Sequence, residues 1–276
     1  MSYAELHCVS HYSFLRGASH PAELVNTAKA FGYKALAITD ECSLAGIVKA
    51  HAAALECDLH LIVGSEFQLD GHRIVALVTN QESYSELSSL ITLARRRTTK
   101  GKYSVKWADV QHNLINSLII WVPSTCSDSN NEVAGKLVEW FRDRLWIGVE
   151  HLLSGREALD YKYLHNLAAL WKIPMVACGD VHMHCKQRRA LQDTLTAIRY
   201  NCSVMELGLR RFANGERRLR TLPHLKTLYP PALLMETLKI AQRCKFHMND
   251  LRYEYPTEVV ARHLTPAQQL RHLVED

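Results

Sequence analysis

Asp180, His182 and His184 stand at alternate positions just past an apolar run, Met175 to Cys178. In an extended chain that spacing points three side chains one way. A carboxylate and two imidazoles converging where a strand leaves a core are suitable ligands for a divalent cation. Other apolar runs in the chain end similarly. His7 belongs to the short run Leu6 to Val9, Asp40 ends Ala35 to Thr39, Glu66 follows Leu59 to Val63, and Glu150 ends Leu145 to Val149. His7, Asp40, Glu66, Glu150, Asp180 and His182 at equivalent places are poorly explained as unrelated surface groups. The competing reading is that they satisfy one another by hydrogen bonds and ion pairs in a polar cleft.

Positioning such a set requires repeated elements, and the sequence supplies them. Helical spacing is expected over Pro21 to Phe31, ending at Gly32, and over about Ser43 to Glu56, Tyr84 to Arg97, Val133 to Phe141, Arg156 to Lys172 and Arg188 to Tyr200. Strands are expected at Leu6 to Val9, Ala35 to Thr39, Leu59 to Val63, Ile74 to Val78, Leu118 to Val122, Leu145 to Val149 and Met175 to Cys178. Near-regular alternation of this kind is the signature of α/β architecture, a parallel sheet with helical crossovers. Seven parallel strands form either an open sheet or a barrel, and both collect reactive groups at the strands' carboxyl ends.

The pattern changes after about Asn201. Arg210-Arg211, Arg217-Arg218 and Arg220 flank Asn214-Gly215, which suggests a basic hairpin or loop. An amphipathic helix is expected over Leu233 to Cys244, irregular chain over Tyr253 to Pro256, and a final helix after Thr265-Pro266. That helix leaves Leu270 and Leu273 without an evident partner, so a truncated end is expected. The division expected is a barrel domain over 1–200 and a basic, helical extension over 201–276.

Composition bounds the function classes. Of 276 residues, 47% are hydrophobic and 22% charged, as in ordinary globular proteins. The start has no signal-peptide pattern, and no apolar segment approaches the roughly 20 residues needed to span a bilayer. No membrane partner and a cytoplasmic location are therefore expected. Eight cysteines without a C-x-x-C pair fit reduced thiols. A net charge of +5 permits a polyanionic partner without demanding one. Arg95, Arg96, Arg97, Lys100 and Lys102 form the densest basic patch, either a DNA contact or a solvated loop. Neither Asp-x-Asp nor a Gly-rich nucleotide loop occurs.

Several stretches are similar to one family. Tyr3-Ala4-Glu5-Leu6-His7-Cys8, Leu36-Ala37-Ile38-Thr39-Asp40, Gly64-Ser65-Glu66 and Gly179-Asp180-Val181-His182-Met183-His184 resemble the polymerase and histidinol phosphatase (PHP) domain. Arg188 to Arg199 and Leu251-Arg252-Tyr253-Glu254-Tyr255-Pro256 resemble its form at the N-terminus of bacterial error-prone DNA polymerases, relatives of the polymerase III alpha subunit. The resemblance covers essentially the whole chain. It implies a distorted (β/α)7 barrel of PHP type, with a C-terminal extension leading toward a polymerase palm absent here. It also implies metal ligands at His7, Asp40, Glu66, Asp180 and His182, with Glu41, His184, Glu150 and Cys126 as weaker candidates. The family's first motif, His-x-His, here reads His7-Cys8-Val9, and Glu41 replaces the His that commonly follows the Thr-Asp pair. A further His of the family falls near His72 and Arg73. Fewer than three zinc or manganese ions are therefore expected. The function implied is a scaffolding module for DNA replication, repair and translesion synthesis, with a degenerate metal site and no polymerase activity of its own. Its implied partners are the polymerase core in cis or other translesion polymerase components, and DNA. The alternatives are a metal-dependent phosphoesterase of histidinol-phosphatase type, or a nuclease proofreading a 3′ end.

Overall fold

The computed structural model of the chain describes residues 2–124, 129–251, 260 and 264–275. Its seven strands follow one another around a single sheet: β1 (Ala4–Glu5), β2 (Ala35–Ile38), β3 (His60–Leu69), β4 (His72–Leu77), β5 (Leu118–Val122), β6 (Leu145–Glu150) and β7 (Met175–Cys178). The sheet curls into a nearly closed barrel. Just past their ends, β1 and β7 meet in a parallel bridge between Cys8 and Val181, with Val9 N–H donating to Val181 O at 2.8 Å and Val181 N–H to His7 O at 3.0 Å.

Four of the six strand pairings are parallel, whereas β4 runs antiparallel to both β3 and β5. This corrects the all-parallel expectation. The cause is Asp70-Gly71, whose φ angles of +47° and +84° make the tight turn that two residues permit. A two-residue link cannot carry a crossover, so β4 must turn back along β3. β3 consequently runs on to Leu69, past the Val63 end expected from its apolar run.

The helices are α1 (Pro21–Ala30), α2 (Ile47–Cys57), α3 (Gln81–Arg96), α4 (Trp107–Asn113), α5 (Asn130–Phe141), α6 (Glu157–Trp171), α7 (Arg189–Tyr200), α8 (Leu222–Leu228), α9 (Pro231–Arg243) and α10 (Pro266–Glu275). The α1 helix begins on a proline and is followed by Gly32 at φ +78°, a conformation that glycine adopts at little cost. No described helix is long and apolar enough to cross a membrane.

Alternation along the strands splits the core in two. Leu36, Ile38, Ile74, Ile119 and Ile147 face outward against helix residues such as Leu24, Leu87 and Leu137. Leu6, Ala37, Ile62, Val75, Ile120 and Val176 face inward and pack with Ile240 and Ala241 of α9 and with Cys244 just past it. That helix lies across the barrel end opposite the site: Cys244 O accepts from His60 Nε2 at 2.9 Å, and Lys245 N–H donates to Thr79 O at 3.0 Å.

Residues 211–221 form a strap over the other end, the loop rather than the hairpin of the two forms expected. Arg218 bridges Met183, and Asn214 Nδ2 donates to Leu152 O and Leu153 O at 2.6 and 2.8 Å. Tyr33 OH donates to Arg220 O at 2.7 Å. The expected irregular chain at Tyr253 to Pro256, and the motif from Arg252 onward, lie outside the described residues. Seven described cysteines are free thiols.

Candidate metal centre

Four strands deliver an acidic or imidazole group to the mouth. His7 follows β1, Glu66 sits inside the extended β3, Glu150 ends β6 and Asp180 follows β7. Because β4 is reversed, it offers its first residues at this end. Arg73 turns into the mouth, while His72 faces Trp121 and Ser129 on the other side.

The buried His7 ring lies between carboxylates, with Nε2 2.6 Å from Glu66 Oε2 and Nδ1 3.4 Å from Glu150 Oε1. Three guanidinium groups complete the cluster. Arg73 donates to Glu150 at 2.6 Å and to Asp180 at 2.7 Å. Arg16, from the loop after β1, pairs with Glu41 and Glu66. Arg217 reaches down from the strap to Asp180.

Electrostatics follow from this packing. Burial opposes charge on His7, but the carboxylates of Glu150 and Glu66 beside it prevail and raise its pKa. Burial likewise opposes charge on Glu66, yet Arg16 and His7 hold that carboxyl well below the usual range. Glu150 is lowered in the same way, against its burial, by Arg73 and His7. Burial, with Arg73 and Arg16 close by, pushes Arg217 down to about 10, so it remains a cation at neutral pH. Arg16, Arg73 and Arg217, with a His7 whose pKa is raised, thus face Glu41, Glu66, Glu150 and Asp180. These pairings offset much of the negative charge that would attract a divalent ion.

The other expected ligands are placed differently. Asp40 is turned away from His7 and held by Ser10 and Ser13, with Ser10 N, Ser10 Oγ and Ser13 Oγ donating at 2.8, 2.8 and 2.7 Å. Burial raises its pKa despite those donors. Gly46 is required beside it, because a Cβ there would lie 2.7 Å from Asp40 Oδ2. Glu41 accepts from Arg16 and from Tyr103 OH at 2.8 Å. The expected shared face of Asp180, His182 and His184 does not form, because Asp180 takes φ +44° and breaks the alternation. His182 Nδ1 lies 2.9 Å from Asp180 O, and its ring meets Phe212. Burial and then Arg16 hold His182 well below its usual pKa, so it is neutral. His184 points elsewhere, to Ser19 Oγ at 2.8 Å. Cys126 lies outside the described residues.

In the basic patch, Arg95 donates to Cys42 O and Glu41 O at 3.1 Å each, and Arg97 grips Asp109. Both are committed to the fold. Arg96, Lys100 and Lys102 are exposed.

Sequence reasoning missed Glu5, Arg16, Arg73 and Arg217 as parts of this centre. Glu5 Oε1 accepts from Leu6 N, His7 N and Gly179 N at 3.1, 3.0 and 2.9 Å, pinning β1 to β7 directly below the site. A Cβ at Gly179 would lie 2.2 Å from Glu5 Oε2, so that glycine is needed for the closure. The Asp70-Gly71 turn could have placed position 73 at the mouth; no comparable signal marks Arg16 or Arg217.

A nearly closed seven-stranded α/β barrel with a polar cluster at its strand ends is the architecture of a PHP domain. The chain carries one, with residues 5–141 matching the PHP domain family model. Along its whole length it is similar to bacterial error-prone DNA polymerases: 48% identical over 276 residues to that of Teredinibacter turnerae, and 50% over 275 residues to that of Pseudomonas aeruginosa. It covers 100% and 99% of itself in these matches but only 27% and 26% of the relatives. The chain therefore spans about a quarter of their length. Among solved structures, an amidohydrolase from Chromobacterium violaceum shares the fold at a TM-score of 0.50, with 17% identity over 65% of this chain and 87% of that one.

Proposed function

We propose that this chain is the PHP module of an error-prone DNA polymerase, serving as a scaffold for the polymerase core and catalysing neither polymerisation nor useful phosphoester hydrolysis itself. The observation carrying this reading is the ion-paired cluster, in which Arg16, Arg73 and Arg217 neutralise carboxylates that divalent ions would otherwise need.

One ion remains compatible with the donors. His7, Glu150 and Asp180 offer atoms within 4.8 Å of one another. His7 Nδ1, Glu150 Oε1 and Asp180 Oδ1 are buried and lack hydrogen-bond partners among the described residues. One imidazole and two carboxylates suit zinc or manganese, so these three residues would hold a single cation. A bound divalent ion supplies Lewis acidity and an acidified water. Around it, Arg73 keeps Glu150 Oε2 and Asp180 Oδ2 while their other oxygens would face the ion. The positive charge of Arg73 and the raised pKa of His7 both weaken binding. Asp40, held by serines, and Glu66, held by Arg16 and His7, are not free to join.

The test is made in the full-length polymerase that contains this module. Arg73→Ala should lower the melting temperature, and primer extension should fall only as the folded fraction falls. Loss of activity at an unchanged melting temperature would show that the centre performs chemistry. The 276-residue chain alone should neither extend a primed template nor hydrolyse p-nitrophenyl phosphate with manganese or zinc.

A further inference from the structure

At the barrel end covered by α9, opposite the charge cluster, lies a cavity of about 580 Å³. Leu59, Leu61, Val63 and Phe246, all buried, give it an apolar floor. Its rim is basic. His51 comes from α2, His60 begins β3, and Lys245 and His247 follow α9. Asp58, the one acid among the described residues lining it, turns its carboxylate fully into solvent, 3.9 Å from Lys29. Lys245 is exposed and has no carboxylate partner among the described residues. Two of the imidazoles are oriented by the bond that one ring nitrogen makes. His60 Nε2 donates to Cys244 O at 2.9 Å, and His51 Nε2 lies 3.1 Å from Asn249 Oδ1. In each ring that leaves Nδ1 for a ligand. Burial, and then the His247 ring 6.2 Å away, hold His60 below its usual pKa, so it is neutral when nothing negative lies beside it.

We infer that this cavity binds a small anionic amphiphile, a monocarboxylate with an apolar tail. Its head meets Lys245, His60 and His247, and its tail covers Leu59, Leu61, Val63 and Phe246. Small-molecule sites enclose roughly 300–1,000 Å³, with mainly apolar walls and a few convergent polar groups. The rim chemistry sets the class of ligand. An unpaired ammonium and three imidazoles favour a negative head, whereas a cationic head would find only Asp58. The charged and titratable groups around the head are His51 on α2, Asp58 just past it, His60 on β3, and Lys245 and His247 after α9. A carboxylate beside His60 favours the charged imidazole, so binding takes up protons and strengthens as pH falls. The inference does not depend on how many cations the barrel holds, because none of these residues belongs to the charge cluster.

The test uses the 276-residue chain, decanoate as ligand, and the anionic apolar dye 8-anilinonaphthalene-1-sulfonate as fluorescent reporter. Decanoate should displace the dye from one site per chain. Decylamine should do so at least about tenfold less well, because like charges would then face each other. The double variant Lys245→Ala, His247→Ala should weaken decanoate binding about tenfold, the scale of hydrogen bonds to charged groups. Both positions are exposed, so thermal melts should match wild type and rule out misfolding. Decanoate affinity should rise from about pH 8 to about pH 6, the range in which imidazoles gain charge. His60→Gln, which keeps a donor for Cys244 O, should shrink that rise. Absence of dye or decanoate binding would overturn the site, as would equal displacement by decylamine or an unchanged affinity in the double variant. A flat pH profile in wild type, or an equal rise in His60→Gln, would overturn the placement of the head. A loss seen instead in Ile198→Ser, Leu209→Ser would move the ligand to the exposed apolar side chains of α7 and the 3-10 segment Val204–Arg210, and overturn the cavity too.

Discussion

Arg73 is the side chain on which the mouth depends most. It joins Glu150 to Asp180 across the barrel, and its removal leaves two buried carboxylates short of a partner. Breaking a buried pair by deleting one member costs about 3–5 kcal/mol, so chemical denaturation of Arg73→Ala should show a loss of that size. Manganese should partly restore the melting temperature of Arg73→Ala, because a cation can then occupy the vacated position, and should not restore Arg73→Ala, Asp180→Asn. Equal rescue of both variants would mean that the ion binds elsewhere. At this scale the sequence was informative about His7, Glu66, Glu150 and Asp180, because each lies in or just past an apolar run and a strand fixes where it goes. It was silent on Arg16 and Arg217, because loop and strap geometry carry no periodicity. It misdirected attention to His184, whose placement hung on the backbone of one residue, Asp180.

Among the elements, the reversed β4 matters most for the site. A parallel β4 would have brought its far end, near Leu77, to the mouth and left Arg73 at the opposite end of the barrel. The determinant is the Asp70-Gly71 turn, with nothing within 4 Å of where a Gly71 Cβ would stand. Gly71→Ala should therefore cost only the left-handed backbone, about 1–2 kcal/mol, measured by urea denaturation. A much larger loss would show that the turn is packed rather than merely bent. The apolar runs located β2, β5, β6 and β7 well because those strands are buried on both faces. They stopped β3 too early because Ser65 and Glu66 are polar yet wholly buried, a combination that only the finished cluster explains.

The whole molecule is a barrel sealed at one end by α9 and at the other by ion pairs. Ile240, at 0% exposure, packs among inward residues from the sheet. Ile240→Ala should cost about 2–5 kcal/mol, with calorimetry still giving one transition, since α9 and the strands share a core. Two separate transitions would contradict that sharing. The barrel class was legible from the alternation of runs, whereas the role of α9 as a plug was not. An amphipathic pattern reveals that a helix has a face to bury but not which surface receives it.

The pairing of Glu66, Glu150 and Asp180 with arginines leaves few free carboxylate oxygens at the mouth for divalent ions. The most direct test is elemental analysis of the purified 276-residue chain after saturation with zinc or manganese and exhaustive dialysis, with Asp180→Asn as the control. At most one weakly held ion per chain is predicted, lost in Asp180→Asn. Three tightly retained ions per chain would contradict it.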